Sequence, residues 1–150
     1  MIATPIARPP AGHGHHHWQQ GLDRAGRADW VGAARAFRRA VRSAPGDVLY
    51  WINLANAYRR AGDPARAVTA AEKALALQAD HPLALRLLGE ALASLHRYAD
   101  AVAAFERLEA SGVQEPDAML QHGANLQALR RPLEAIDVLM RAAAALEATT

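Results

Sequence analysis

A period of 34 residues runs through this chain and limits its fold more than any other feature. Frames that begin at Gly14, Val48, Pro82 and Pro116 follow one another at this spacing without an insertion. Position eight of the frame is glycine in three copies and Ala55 in the other, and position twenty is alanine in all four. Self-similarity on this scale predicts a repeat protein built from stacked supersecondary units.

Each frame combines small and bulky residues in a pattern that suits two crossing helices. Small side chains at positions eight and twenty let two backbones approach, and positions four, seven, eleven and twenty-four mostly hold larger side chains. Alanine supplies much of the apolar content, and aromatic residues make up only 5% of the chain. Ala and Leu favour helices, whereas strands favour β-branched and aromatic residues. The expected fold is therefore all-α, with one antiparallel helix hairpin in each frame stacked on the next.

Proline and aspartate mark the expected helix boundaries. In the second frame, Asp63 suits an N-cap and Pro64 the first helical position. Pro82, Pro116 and Pro132 suit the same first position, where the missing N–H costs little. These signals predict eight helices, at residues 16–25, 29–43, 48–60, 64–78, 83–95, 98–110, 117–129 and 132–147.

These residues resemble the tetratricopeptide repeat family over about residues 14–148. The second frame matches best, with the run WINLANAY from Trp51 to Tyr58 followed by Ala67 and Ala74. The resemblance implies an α-solenoid of four stacked hairpins, wound as a right-handed superhelix. It also implies a protein–protein interaction scaffold.

Departures from the family pattern concentrate in the terminal repeats, which have a neighbour on one side only. His17 and Arg24 occupy positions four and eleven of the first repeat, and His122 occupies position seven of the fourth. We expect residues 1–13 to form a flexible tail and residues 14–150 to form a single domain. The expected repeats span residues 14–47, 48–81, 82–115 and 116–149.

In this family the first helix of each hairpin lines a concave groove, so its exposed positions are expected to contact a ligand. The peptide-binding surface that we expect from positions five, six, nine and twelve is formed by Trp18, Gln19, Leu22, Asn53, Asn56, Arg59, Arg86, Glu90 and Gln121.

Position six is the most informative row of that surface. Gln19, Asn53 and Gln121 are amides there, and Leu87 interrupts the row. An amide both donates and accepts hydrogen bonds, so such a row can pair with the backbone of an extended peptide. The alternative is that these amides bind nothing in particular.

A second use of the family, a clamp for a C-terminal carboxylate, is not expected. It requires basic residues and asparagines at defined positions of three successive repeats. From the first repeat onwards Asn53 fits, but Trp18, Leu22, Leu83 and Leu87 do not. A carboxylate in this groove would lack its charged partners.

Two clusters carry weaker signals. Histidines from His13 to His17 can bind Zn, Ni or Cu loosely, although a solvated tail or an expression tag is the simpler interpretation. The basic stripe on the second helix of the first repeat lacks any groove-reading motif, so nucleic-acid binding is not expected. That stripe consists of Arg35, Arg38, Arg39 and Arg42.

The sequence favours a binding protein over an enzyme or a membrane protein. It contains no Gly-rich phosphate loop, nucleophile elbow or metal-ligand pair on a helix, so we expect neither catalysis nor a cofactor. No charge-free apolar run approaches the ~18 residues of a membrane span. The chain has no cysteine, which excludes disulfides and fits a cytoplasmic protein.

The last predicted helix has more apolar surface than one packing partner can cover. Ile136, Leu139, Met140, Ala143 and Leu146 extend over more than one of its faces. This pattern predicts either self-association or a further segment of a longer protein. Two other functions stay open, a substrate-recruiting region of a larger transferase and a small secretion chaperone, because a shared fold does not define a function.

Charge is distributed unevenly along the chain. Residues 1–75 hold 11 basic and 5 acidic groups, a net charge of +6, and residues 76–150 hold 6 basic and 10 acidic groups, a net charge of −4. A dipolar rod of this kind could steer a partner or stack head to tail, although scattered solvated charge is the simpler interpretation.

Overall fold

The computed structural model describes residue 12 and residues 14–150, and the part of the chain it describes contains eight α-helices and no strand. Each predicted helix is present, with both ends within one residue of the prediction. The all-α prediction is confirmed. The tail predicted at residues 1–13 lies, apart from Gly12, outside the described residues. The helices are α1 (His15–Gly26), α2 (Trp30–Ser43), α3 (Val48–Arg60), α4 (Pro64–Leu77), α5 (Pro82–Ser94), α6 (Tyr98–Ala110), α7 (Pro116–Ala128) and α8 (Pro132–Ala148).

Aspartate caps and N-terminal prolines explain where the helices begin. Asp47 accepts hydrogen bonds from the backbone N–H groups of Leu49 and Tyr50, at 3.0 and 3.4 Å. Asp63 and Asp29 cap α4 and α2 in the same way, at 3.1 and 2.9 Å. Such caps satisfy amide groups that lack a partner within the helix. Helices α4, α5, α7 and α8 begin with proline, as the sequence predicts.

Consecutive helices pack into a row of antiparallel hairpins. Each helix packs on the next one along the chain, and in addition α3 contacts α5 and α5 contacts α7. The first helices of the second, third and fourth hairpins therefore lie side by side and form one continuous face. One hydrophobic core extends from Trp18 to Ala118, and a smaller one fills the last hairpin around Met119 and Leu126.

Positions eight and twenty-four interlock inside each hairpin. A methyl group added to Gly89 would lie 2.8 Å from the ring of Phe105, and one added to Gly123 would lie 2.6 Å from Leu139. Gly21 faces Phe37 in the same manner. The second hairpin has alanine at both positions. A bulky residue at position twenty-four thus occurs with glycine at position eight, since the two share one space.

The turn inside each hairpin places one residue in the left-handed region of backbone conformation. This residue is Ala28, Gly62, His96 or Arg130, with φ of 59°, 82°, 58° and 56° respectively. The spacing is again 34 residues. Only the second repeat uses glycine, which reaches this conformation without a clash of its Cβ atom.

We predict that Ala28→Gly stabilises the protein by about 0.5–1 kcal/mol, because the relief of a left-handed strain of ~1–2 kcal/mol outweighs the chain entropy that glycine adds to the unfolded state. The converse change, Gly62→Ala, should lower the free energy of unfolding. Denaturant unfolding followed by circular dichroism measures both. Equal destabilisation by the two changes would show that backbone strain does not decide the residue at this turn.

Candidate functional site

A single carboxylate links three repeats on the face formed by α3, α5 and α7. Glu90 Oε1 accepts hydrogen bonds from Arg86 Nε at 3.0 Å and from Gln121 Nε2 at 3.2 Å. Glu90 Oε2 lies 3.1 Å from Arg59 Nε, without the alignment of a hydrogen bond. The Glu90 side chain is only 10% exposed. We call these four residues, with the two described next, the Glu90 network.

Asn56 and Glu115 extend the network at either end. Arg59 Nη2 donates to Asn56 Oδ1 at 3.3 Å, and Arg86 Nη1 donates to Glu115 Oε2 at 2.7 Å. Two guanidinium groups therefore face two carboxylates, and the face has no net charge from these four groups. Hydrogen bonds to ionised groups are about twice as strong as neutral ones, so the network orders its long side chains.

The pKa values of the two arginines shift in opposite directions, although burial alone lowers both. Burial lowers the pKa of Arg59 below its ordinary value, and the attraction of Glu90 opposes this only in part. For Arg86, burial alone would lower the pKa, but hydrogen bonds to Glu90 and Glu115 outweigh it and raise the pKa. Guanidinium groups stay protonated in proteins, so both arginines contribute full positive charges.

The structure brings five of the nine predicted site residues into direct contact with one another. These are the members of the Glu90 network that the sequence places on the concave surface: Asn56, Arg59, Arg86, Glu90 and Gln121. Gln19 is exposed and Leu22 is half-buried, and neither belongs to the network. Glu115 is a member that the sequence did not indicate, because it is the last residue of the third frame and lies outside the positions expected to contact a ligand.

Two of the predicted residues are buried where the sequence predicted exposure. Trp18 is 4% exposed and belongs to the hydrophobic core, because its ring stacks on Tyr50 at a centroid distance of 6.3 Å. Asn53 is 6% exposed, and within the described residues its Nδ2 has no hydrogen-bond partner. The prediction that positions five and six are exposed is therefore wrong in these two repeats.

A second polar cluster joins the third and fourth repeats. His122 Nδ1 and Glu109 Oε1 are 2.6 Å apart, and Arg141 Nη1 donates to Glu109 Oε2 at 2.8 Å. The His122 ring is buried and stacks on Phe105. The histidine that departs from the family pattern at position seven thus forms a link between α6, α7 and α8.

Metal binding and membrane insertion gain no support from the described residues. Within residues 14–150 no group of three or more His, Cys, Asp or Glu side chains is arranged to hold a metal ion. His13 lies outside the described residues, so the two interpretations of His13 to His17, loose metal binding and a solvated tail, stay untested. None of the described helices is both long and apolar enough to cross a membrane.

Comparison with known families identifies the repeat. The model of the tetratricopeptide repeat family matches residues 19–68 and 52–116, which together exceed half of the chain. The chain therefore belongs to the tetratricopeptide repeat family, as the 34-residue period predicts. No curated protein matches the sequence.

Solved structures with the same fold include tetratricopeptide repeat proteins of several kinds. The crystal structure of MamA is 23% identical, with a TM-score of 0.78, and the match covers 81% of this chain and 71% of that one. The first repeat domain of Spaghetti (RPAP3), bound to the HSP90 peptide SRMEEVD, is 20% identical, with a TM-score of 0.75 and coverages of 79% and 94%. TTC0263 from Thermus thermophilus is 19% identical, with a TM-score of 0.71 and coverages of 87% and 73%. Identities at this level show the fold alone.

We predict that Glu109→Gln lowers the free energy of unfolding at neutral pH by about 1–3 kcal/mol, because it weakens the hydrogen bonds that Glu109 forms with His122 and Arg141. Burial alone would raise the pKa of Glu109, but hydrogen bonds from His122 and Arg141 outweigh it, so the pKa in the folded protein lies below its ordinary 4.5. The stabilisation is therefore complete above the unfolded pKa and is lost as pH falls through the folded pKa.

Thermal unfolding from neutral pH to well below 4.5 measures this effect. The difference between wild type and Glu109→Gln should shrink in acid, whereas the exposed control Glu72→Gln should differ little from wild type at any pH. A difference that stays constant across this range would contradict a stabilising Glu109 carboxylate.

Proposed function

We propose that the face formed by α1, α3, α5 and α7 binds an extended segment of another protein. The observation that supports this most is a set of half-buried polar side chains on α3, α5 and α7, namely Asn56, Arg86, Glu90 and Gln121. Amide groups both donate and accept hydrogen bonds, so Asn56 and Gln121 can pair with the backbone of an extended segment.

The Glu90 network supports the proposal by holding the neighbouring side chains in place before a ligand arrives. Its groups on α3, α5 and α7 are cross-linked through hydrogen bonds and ion pairs. A surface that is already ordered loses less conformational entropy on binding. Half-buried apolar groups on the first helices of the first and third hairpins, Leu22, Ala25 and Ala93, would contact the side chains of the ligand.

The charge of the groove argues for recognition of the peptide backbone over recognition of a terminal carboxylate. Both arginines of the groove are already paired, Arg59 with Glu90 and Arg86 with Glu90 and Glu115. The RPAP3 domain was solved with an HSP90 peptide, and its similar fold supports peptide binding as a class of function. For this chain we propose an uncharged, extended segment as the ligand.

The same pairing leaves the site suited to binding and not to acid–base catalysis. Both carboxylate oxygens of Glu90 are already engaged, by two arginines and one amide. We therefore propose no reaction at this site.

Affinity capture from a lysate of the source organism tests the proposal with a matched pair of variants. One variant combines Asn53→Ala, Asn56→Ala and Gln121→Ala in the groove. The control combines Gln20→Ala, Gln78→Ala and Gln114→Ala, three exposed amides outside it. Loss of amide hydrogen bonds at ~0.5–1.5 kcal/mol each predicts at least tenfold weaker binding of the captured partner by the groove variant.

The captured partner is then measured against each purified variant by titration calorimetry, with helix content checked by circular dichroism. If the control variant binds the partner with wild-type affinity and the groove variant binds it more weakly, the result would support the groove as the binding site. Equal affinities in all three proteins would overturn the proposal, because binding would then not depend on the groove amides.

The exposed apolar face of α8 supports self-association as a second proposal. Leu133 is 81% exposed, Met140 is 68% exposed and Ile136 lies between them on the same side of the helix. Removing these side chains from water would favour association at about 25 cal/mol per Å². Light scattering that shows a monomer at high protein concentration would contradict it.

A further inference from the structure

A second cleft lies on the opposite side of α3 from the groove. Trp51, Leu54 and Tyr58 follow one another at i, i+3 and i+7, so they form one stripe of the helix. Asn56, which contributes to the groove, lies on roughly the opposite side of the helix, and Arg59 lies roughly 105° around the helix from this stripe, since successive residues are ~100° apart. Whatever occupies this cleft therefore does not compete for the groove.

The cleft is a small apolar cavity between α2, α3 and α4. Its volume is about 290 Å³, and Val41, Leu54 and Ala70 contribute aliphatic walls. Pockets that enclose a drug-sized ligand have volumes of ~300–1,000 Å³, so this one suits a single large side chain. Trp51 is held in place because its indole N–H donates to the Pro45 carbonyl at 2.8 Å.

Three guanidinium groups surround this apolar cavity. Arg38 and Arg42 line it from α2, and Arg66 lines it from α4 above the ring of Tyr58, at 5.8 Å. Within residues 14–150 neither Arg38 nor Arg42 has a carboxylate partner, and the other residues of the chain contain no Asp or Glu. Arg66 has one partner, Asp63, at 3.5 Å between exposed groups.

The positive surface continues beside the cavity. An adjoining cleft of about 330 Å³ shares Arg38, Tyr58 and Arg66 and adds Arg35. Four arginines thus border one aromatic and aliphatic depression, and a single aspartate, Asp63, lies among them. Unpaired guanidinium groups are strong donors for carboxylates, because their fork geometry matches two oxygens at once.

We propose that this cleft is a second binding site, which takes an acidic peptide segment that carries one large apolar side chain. The apolar side chain enters the cavity beside Trp51 and Leu54. Carboxylates on either side of it pair with Arg38, Arg42 and Arg66. This surface goes beyond the groove described above and would let the protein hold two segments at once.

A peptide fits this cleft better than a nucleic acid does. Single-stranded nucleic acids are bound along a track on which successive bases stack. Here Trp51 lines a single cavity and, in the described part of the chain, is not followed by a row of exposed aromatic side chains, and α4 offers beyond Arg66 only Lys73 as a basic residue, with Glu72 beside it. The apolar cavity lies at one place within the positive surface, as an acidic segment with a single apolar anchor requires.

Fluorescence anisotropy with a fluorescein-labelled pentapeptide, Glu-Asp-Phe-Asp-Glu, tests this proposal at low ionic strength. Wild type should bind, and rising salt should weaken binding. The pocket variant, which combines Arg38→Gln and Arg42→Gln, should bind at least tenfold more weakly than wild type. Each of the two substitutions removes a charge-assisted hydrogen bond to the peptide. The control Arg27→Gln, Arg39→Gln removes the same charge outside the cavity and should stay within about twofold of wild type.

Two further measurements distinguish binding in the cavity from non-specific attraction between opposite charges. Replacement of the peptide's Phe by Ala should weaken binding about tenfold or more, because the cavity loses its apolar contact. Thr69→Glu places a carboxylate on the rim and should also abolish binding while circular dichroism shows an unchanged fold.

The proposal is overturned if both arginine variants lose affinity equally, or if the Ala peptide binds as well as the Phe peptide. It is also overturned if a single-stranded oligonucleotide binds more tightly than the peptide and depends on Arg38 and Arg42 in the same way. Absence of peptide binding by the wild type would equally rule it out.

Discussion

The close approach of two helices inside each hairpin is the constraint on which the rest of the structure depends. Glycine at position eight gives space to the bulky side chain at position twenty-four, as Gly89 does for Phe105. Where position twenty-four holds only Ala71, position eight can hold Ala55. Each hairpin is thereby packed tightly enough to stack on its neighbours, and this stacking places the first helices side by side.

The Glu90 network turns that row of helices into an ordered surface. Taking a carboxylate and two guanidinium groups partly out of water costs free energy, and mutual attraction compensates only when the geometry is good. Here Glu90 receives contacts from three successive repeats, so the orientation of each first helix is tied to the next. A repeat protein has contacts only between neighbours, which makes such links the means of keeping a groove in one shape.

The sequence predicted the backbone well because the information is local and periodic. The 34-residue period, the aspartate caps and the N-terminal prolines locate all eight helices to within one residue. The rows of the repeat also identified most members of the Glu90 network, although they could not show which side chains pair. Pairing across repeats depends on how far each hairpin is shifted against the next, and no spacing along the chain records that shift.

The other differences between the sequence-based predictions and the structure also arise from packing between helices. Trp18 follows the row of exposed positions but turns into the core, where Tyr50 offers a stacking partner. Glu115 and the His122–Glu109 contact do not occupy positions expected to bind a ligand, so their roles emerge only when the helices are packed. The left-handed turn residues were also missed, because Ala28, His96 and Arg130 give no sign of an unusual conformation in the sequence.

A double-mutant cycle on Arg59 and Glu90 tests most directly whether the network orders the groove. Arg59→Met keeps the aliphatic stem and Glu90→Gln keeps the shape, so the cycle isolates the charged contact between α3 and α5. We predict a coupling free energy of about 1–2 kcal/mol in denaturant unfolding, well above that of the exposed pair Arg97 and Asp100 measured in the same way. A coupling no larger than that of the exposed pair would contradict the account, because the first helices would then be held by apolar packing alone.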